Sequence, residues 1–188
     1  MTEKYTIVGI DEAGRGPLAG PVVAASVLID EKYLPYRIND SKKISEKNRE
    51  NFYKEILEKS LKYGIGIINS DVIDKINIHK ATLQAMKKSY QEINCANCKV
   101  YIDGIFKPDI NGDLYSIKHG DRLVPIISAA SIIAKVTRDK IMLKIDEEFP
   151  MYDFKKHKGY PTKHHIEMIK KYGICKYHRR TFKPIKYL

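Results

Sequence analysis

Cysteine is scarce and odd in number, with Cys95, Cys98 and Cys175 the only three among 188 residues. That excludes a secreted scaffold held by paired disulfides. No apolar stretch approaches the roughly 20 residues needed to span a bilayer. The opening Met1-Thr2-Glu3-Lys4 passes directly into a short apolar run ended by Asp11 and Glu12. That is the pattern of neither a signal peptide nor a transit peptide. Glycine/serine linkers, internal repeats and low-complexity tracts are missing too. These absences predict a reduced, cytoplasmic, monomeric protein that does not touch membranes. They also predict one domain over 1–188, with an α/β core over about 1–150 and a basic part over about 151–188 packed on it.

Acidic residues nearly vanish from the C-terminal end. From Lys155 to Leu188 there are eleven Lys and Arg and one acid, Glu167, a net of +10. The rest of the chain carries 23 basic and 22 acidic residues. Nearly all of the formal charge of +11 therefore sits in one segment. Tyr152, Tyr160, Tyr172, Tyr177, Phe182 and Tyr187 lie in or beside it. Basic and aromatic side chains together fit a polyphosphate partner, nucleic acid above all. The alternative is a solvated, solubilising tail. With 43% hydrophobic residues the chain can build a real core, burying roughly 70% of its unfolded surface.

Periodicity gives the element types. Tyr5 to Ile10 and Val22 to Ile29 are short β-rich runs on either side of the glycine-studded segment Asp11 to Gly20. Ser45 can cap a helix whose apolar residues Phe52, Ile56, Leu57 and Leu61 recur at helical spacing. Gly64 to Ile68, Lys99 to Ile102 and Tyr115 to Lys118 read as strands, and Leu83, Met86, Tyr90 and Ile93 as one helix face. A long helix is expected from Ser128 to Phe149, stopped by Pro150, and a shorter one from Thr162 to Gly173. The order predicts an α/β fold, a mixed central sheet flanked by helices, with a basic helical C-terminal part.

The acids of interest stand at strand ends, each with a nearby glycine: Asp11 and Glu12, Asp103 before Gly104, and Asp121 after Gly120. Ligand sites form at such ends. Carboxylates converging there would hold Mg²⁺ or Mn²⁺, which prefer hard oxygen ligands. Two such ions can clamp the attacking and leaving oxygens of a phosphodiester. Against this, neighbouring strand residues face opposite sides of a sheet. Asp11 and Glu12 would share a site only if the backbone left strand geometry between them. The alternative is that these acids mark turns.

Longer strings narrow the choice. Gly9-Ile10-Asp11-Glu12-Ala13-Gly14-Arg15-Gly16-Pro17 resembles the opening motif of the bacterial type 2 ribonuclease H family, ribonuclease HII. Asn39-Asp40-Ser41-Lys42-Lys43, Ile102-Asp103-Gly104, Gly120-Asp121 with Ile127 to Asp139, His157 to Thr162, and His178-Arg179-Arg180-Thr181-Phe182 resemble its further motifs in order. The match runs from about Val8 to Pro184.

This resemblance implies an RNase H-like fold and hydrolysis of the RNA strand of RNA–DNA hybrids. It extends to nicking 5′ of single ribonucleotides in duplex DNA, leaving 3′-hydroxyl and 5′-phosphate ends. It implies Mg²⁺ or Mn²⁺ on Asp11, Glu12, Asp103 and Asp121 as catalytic metal ligands. Gly14, Arg15 and Gly16 would read the ribonucleotide, Lys42 and Lys43 would contact phosphate, and Tyr160 would pack on a sugar or base. A DNA junction resolvase has no evident use for the Gly-Arg-Gly turn. A pure nucleic-acid binder would gain by losing the four acids. Ser128, Ser131 and Lys135 can face the substrate, with Ser128 alternatively a helix cap. His164 and His165 are expected to be solvated. Cys95, Cys98, Cys175 and His178 match a zinc ligand pattern on paper, but the family needs no zinc.

Overall fold

Apolar alternation on two adjacent strands sets the architecture of the computed structural model, which describes residues 6–35, 38, 45–95 and 97–187. Strand β1 (Thr6–Ala13) sends Val8 and Ile10 to one face of the sheet and Ile7 to the other. Strand β2 (Val22–Leu28) puts Val22, Ala24 and Leu28 on the first face and Ala25 and Val27 on the second. Both faces are covered, so β2 is buried along its whole length and reads as a continuous apolar run. With β3 (Lys62–Ile68), β4 (Cys98–Asp103) and β5 (Asp113–Ile117), the strands stand in the order β3-β2-β1-β4-β5. β2 is antiparallel to β1 and β3, whereas β1, β4 and β5 are parallel. The mixed sheet expected from the sequence is present.

Helices cover the two faces. α1 (Glu46–Lys59) and α4 (Pro125–Glu148) lie on the second face, α2 (Ser70–Ile93) on the first. Gly9 lets α4 settle onto β1, because a Cβ there would come within 2.2 Å of the Ile126 carbonyl oxygen. A third apolar cluster lies toward the C-terminal end of α4. There Ile145, Tyr152, Phe154 and Ile169 pack with Leu18 and Ala19 from the glycine-rich segment. It seats α5 (Phe154–His157) and α6 (Lys163–Tyr172) against the turn that follows β1. Among the described residues, no helix is long and apolar enough to cross a membrane.

Several boundaries differ from the sequence reading. α2 begins at Ser70, well before Leu83, and bends at Asn77 (φ 67), so a single apolar phase cannot run through it. Pro125 opens α4 at the first helical position, where its missing N–H costs nothing. Ser128 is therefore inside that helix and not its cap. Asp121 sits in a short helical turn, α3 (Gly120–Leu123), past the end of β5. Cys95 and Cys98 come together as a pair beyond the end of α2. The left-handed Asn94 that ends α2 turns the chain there, and the two Cα atoms come to 5.8 Å, within bridging reach.

Candidate active site

β1 and β4 pair only as far as Ile10 and Ile102. Beyond that point the sheet opens, and the next residues of both strands carry acids. Asp11 and Glu12 stay in β1, paired with Ala25 and Ala24 of β2. The departure from strand geometry that a shared site was held to require does not occur. Instead the Asp11 side chain bends along the strand, and its Oδ1 accepts the Glu12 backbone N–H at 2.7 Å. Asp103 ends β4, and its Oδ1 accepts the Gly120 N–H at 2.7 Å. Ser128 Oγ donates to the Asp121 carbonyl at 2.6 Å, tying α3 to α4.

Asp11, Glu12, Asp103 and Asp121 line one cleft of about 420 Å³ with Gly14, Arg15, Gly16 and Tyr160. Ser131, Lys135 and Arg49 line it too. Lys42 and Lys43 lie outside the described residues. Burial, then the adjacent Glu12 and Asp103 charges, hold the Asp11 carboxyl well above its ordinary range, against a Ser131 hydrogen bond that favours the charged form. Burial also raises Glu12, although Arg15 Nη1 stands 3.3 Å from its Oε1. Acidic charge is thus crowded in a partly dry site. Among the described residues, no three His, Cys, Asp or Glu side chains are gathered closely enough to hold an ion unaided. The donor set still fits a hard divalent cation. Such ions take one or two carboxylates and complete their shell with water and substrate phosphate.

The turn after β1 is shaped from behind by two buried guanidiniums. Arg138 donates to the carbonyls of Pro21, Lys158 and Ala19, each at 3.0 Å. Arg179 donates to Gly14 (2.6 Å), Arg15 (3.0 Å) and Gly20 (3.0 and 2.9 Å). Burial pushes Arg138 down to about 10 and Arg179 to about 9, so both remain charged at neutral pH. In a trans peptide, C=O and the next N–H point opposite ways. With the Gly14 and Arg15 carbonyls aimed inward at Arg179, the N–H groups of Arg15 and Gly16 are turned away from it. Gly14 has φ +100, and a Cβ there would lie 2.2 Å from Arg138 Nε, so only glycine fits.

Tyr160 stands over this turn, with its Cε1 3.7 Å from where a Gly16 Cβ would be and the Arg138 guanidinium 6.0 Å from its ring centroid. The expectation that His165 is solvated is overturned: it is fully buried. Stacking on His157 and an edge contact with Phe154 enclose its ring. A directed chain runs through it. Cys175 N–H donates to His178 Nδ1 at 2.9 Å, which leaves the proton on His178 Nε2. That proton faces His165 Nε2 at 3.1 Å, and His165 Nδ1–H donates to the Tyr160 carbonyl at 2.9 Å. Burial pushes both imidazoles down to about 4, so both are neutral at pH 7. His164, by contrast, is half-exposed beside Asp153.

Sequence reasoning missed Arg138, Arg179 and the His165–His178 pair. Both arginines lie in motif strings, but a charge count assigns Arg179 to the surface. Their burial becomes visible only once Ala19 to Pro21 fold against them.

The family model for ribonuclease HII matches residues 8–185. The chain is 50% identical to ribonuclease HII of Acetivibrio thermocellus over 94% of its length and 69% of that relative. It is 46% identical to ribonuclease HII of Caldicellulosiruptor bescii over 97% of its length and 89% of that relative. Among solved structures, ribonuclease H2 of Pyrococcus horikoshii superposes with a TM-score of 0.76 at 26% identity, covering 97% of this chain and 96% of that one. Ribonuclease HII of Archaeoglobus fulgidus, solved in complex with PCNA, gives 0.80 at 25% identity and 95% of each chain. With the family model matching residues 8–185 and relatives 46% and 50% identical over nearly its whole length, the chain belongs to the ribonuclease HII family.

Proposed function

We propose that the chain hydrolyses the RNA strand of RNA–DNA hybrids and nicks duplex DNA on the 5′ side of single ribonucleotides, leaving 3′-hydroxyl and 5′-phosphate ends. Membership in the family makes it a ribonuclease H, an endonuclease whose reaction depends on divalent metal. The finer assignments rest on one observation: the four acids, the Gly14–Gly16 turn and Tyr160 share one cleft. Asp11, Glu12, Asp103 and Asp121 would hold Mg²⁺ or Mn²⁺. When bound there, such ions favour attack of water and offset charge on the leaving 3′-oxygen.

The chain's own groups do the rest. The outward N–H groups of Arg15 and Gly16 meet the ribonucleotide, and its 2′-hydroxyl, both donor and acceptor, separates RNA from DNA. Tyr160 packs on the sugar of the next, 3′ nucleotide, where a deoxyribose leaves room for the ring. Lys135, paired with Asp139 at 2.7 Å, contributes positive potential along the same wall. Lys42 and Lys43 would contact phosphate.

The test uses labelled duplexes: all-DNA, RNA–DNA hybrid, and DNA with one ribonucleotide, each with Mg²⁺, Mn²⁺ or EDTA. Cutting of the two ribonucleotide-containing duplexes, abolished by EDTA, is expected. Cleavage of all-DNA, or indifference to EDTA, would overturn the proposal.

A further inference from the structure

The acid-lined cleft does not end at the carboxylates. A second cavity of about 340 Å³ meets it at Glu12, Arg15 and Asp103 and continues between α2 and the segment after β4. Leu83 and Met86 of α2 form its floor, and Ile105, Phe106, His79 and Lys118 its rim. Ile105 is 66% exposed and Phe106 49%, an expense of apolar surface that folding does not explain. Gly104, with φ +95, turns the chain so that both project. The Phe106 ring is already set by an edge contact with His79, centroids 4.3 Å apart. A pre-oriented ring loses little freedom when something packs on it.

We propose that this cavity is the subsite for the nucleotide on the 5′ side of the scissile phosphate, the one that departs with the new 3′-hydroxyl. The inference rests on the function proposed above. If the scissile phosphate lies at Glu12 and Asp103, the strand must leave them in two directions. Tyr160 and the Gly14–Gly16 turn take the ribonucleotide and its 3′ neighbour, so the remaining direction is the second cavity. Its chemistry suits that occupant. Phe106 and Ile105 offer an apolar wall to the C–H face of a sugar, and Lys118 offers a cation to a phosphate. The subsite fixes the leaving oxygen by holding the sugar that carries it.

The test is an enzyme–substrate cycle on duplexes with one ribonucleotide. In one duplex a propanediol linker replaces the deoxynucleoside immediately 5′ of the ribonucleotide, keeping the scissile phosphodiester but removing sugar and base. In a second, the linker replaces the 3′ neighbour. Phe106→Ala should lower kcat/KM roughly tenfold on the unmodified duplex. On the 5′-linker duplex it should cost nothing beyond what the linker already costs the wild type. On the 3′-linker duplex its full tenfold effect should remain. Phe106→Leu, which restores an apolar contact, should recover most of the loss and so exclude misfolding as the cause.

Normal cleavage of the unmodified duplex by Phe106→Ala would overturn the subsite. So would equal losses on both linker duplexes. If the wild type cuts no ribonucleotide-containing duplex, the proposed function falls and the subsite with it. If the wild type cuts but the coupling is absent, the subsite alone falls.

Discussion

Replacing Arg179 by lysine keeps the charge and removes the fork. The native guanidinium makes four hydrogen bonds to three carbonyls, those of Gly14, Arg15 and Gly20. A lysine ammonium projects from one point and cannot reach all three with good geometry. The Arg15 side chain is exposed, but its carbonyl faces the buried guanidinium. Gly14 and Gly20 are buried, and orphaning one or both of their carbonyls costs about 1–3 kcal/mol each. Lysine is also more strongly hydrated and more costly to bury. The net expectation is a loss of about 2–4 kcal/mol, read as a lower urea midpoint at unchanged slope. Function should shift in a specific way. With the carbonyls released, the Arg15 and Gly16 N–H groups are no longer aimed, so cutting at a single ribonucleotide should fall further than cutting of a long hybrid. A variant within 0.5 kcal/mol of wild type, or one that loses both activities in equal proportion, would refute the account of Arg179 as the holder of this turn.

Asp103→Asn should leave a folded protein with almost no turnover at saturating metal, because it keeps shape and removes ligand charge; single-turnover cleavage checks this. Tyr160→Ala should reduce nicking at a single ribonucleotide roughly 5–150-fold while general duplex binding persists, compared by kinetics and by band shift. Binding should weaken steeply with salt, and neutralising Lys155, Lys156 and Lys158 together should flatten the log–log slope. The contribution of two imidazoles should fall with acid: His165 and His178 sit near 4 in the folded chain because burial disfavours their charge, against about 6.5 unfolded. Between those values the unfolded state binds more protons through these groups, so their contribution drops from pH 6.5 towards 4, opposed by the raised Asp11 and Glu12 carboxyls, which bind protons in the folded state. The groups facing the pair are His157, His164, Cys175 and Glu148 farther out, none of which reverses the sign. At pH 5 the loss is about 2 kcal/mol per imidazole, and His178→Asn should shrink it in pH-dependent urea melts.

Strands and helices were legible wherever one physical signal dominated. β2 shows because both of its faces are covered, and α6 because Thr162 caps it, with Oγ1 accepting the His165 N–H at 3.2 Å, and Gly173 closes it. The first half of α2 was not legible, since the bend at Asn77 breaks the apolar phase. The acids were legible by type and place, at the ends of β1 and β4. That Asp11 and Glu12 line one cleft while both stay in regular strand pairing was not, because alternation alone assigns neighbours to opposite faces. Nor was the fate of the basic residues. A formal charge says nothing about burial, and Arg138 and Arg179 spend theirs on carbonyls and not on a partner.

Buried cations bound to carbonyls also stand close to a site crowded with acidic charge. Burial raises Asp11 and Glu12, the Glu12 and Asp103 charges add to it at Asp11 and the Asp103 charge at Glu12, and the same carboxylates would repel a phosphate brought to the cleft. Behind the turn stand two cations that no described ion pair neutralises. Arg179, by binding the Gly14 and Arg15 carbonyl oxygens, orients those two peptides with their positive N–H ends away from itself, while Arg138 holds the carbonyls of Ala19, Pro21 and Lys158. Their field therefore reaches the substrate through aligned dipoles and not through mobile side chains. Such groups need no reorganisation when a phosphate arrives. A lysine at the surface would attract the duplex at long range but would not tell a ribose from a deoxyribose. Under the proposed reading a backbone held rigid from behind would, because a fixed donor either meets a 2′-hydroxyl or does not.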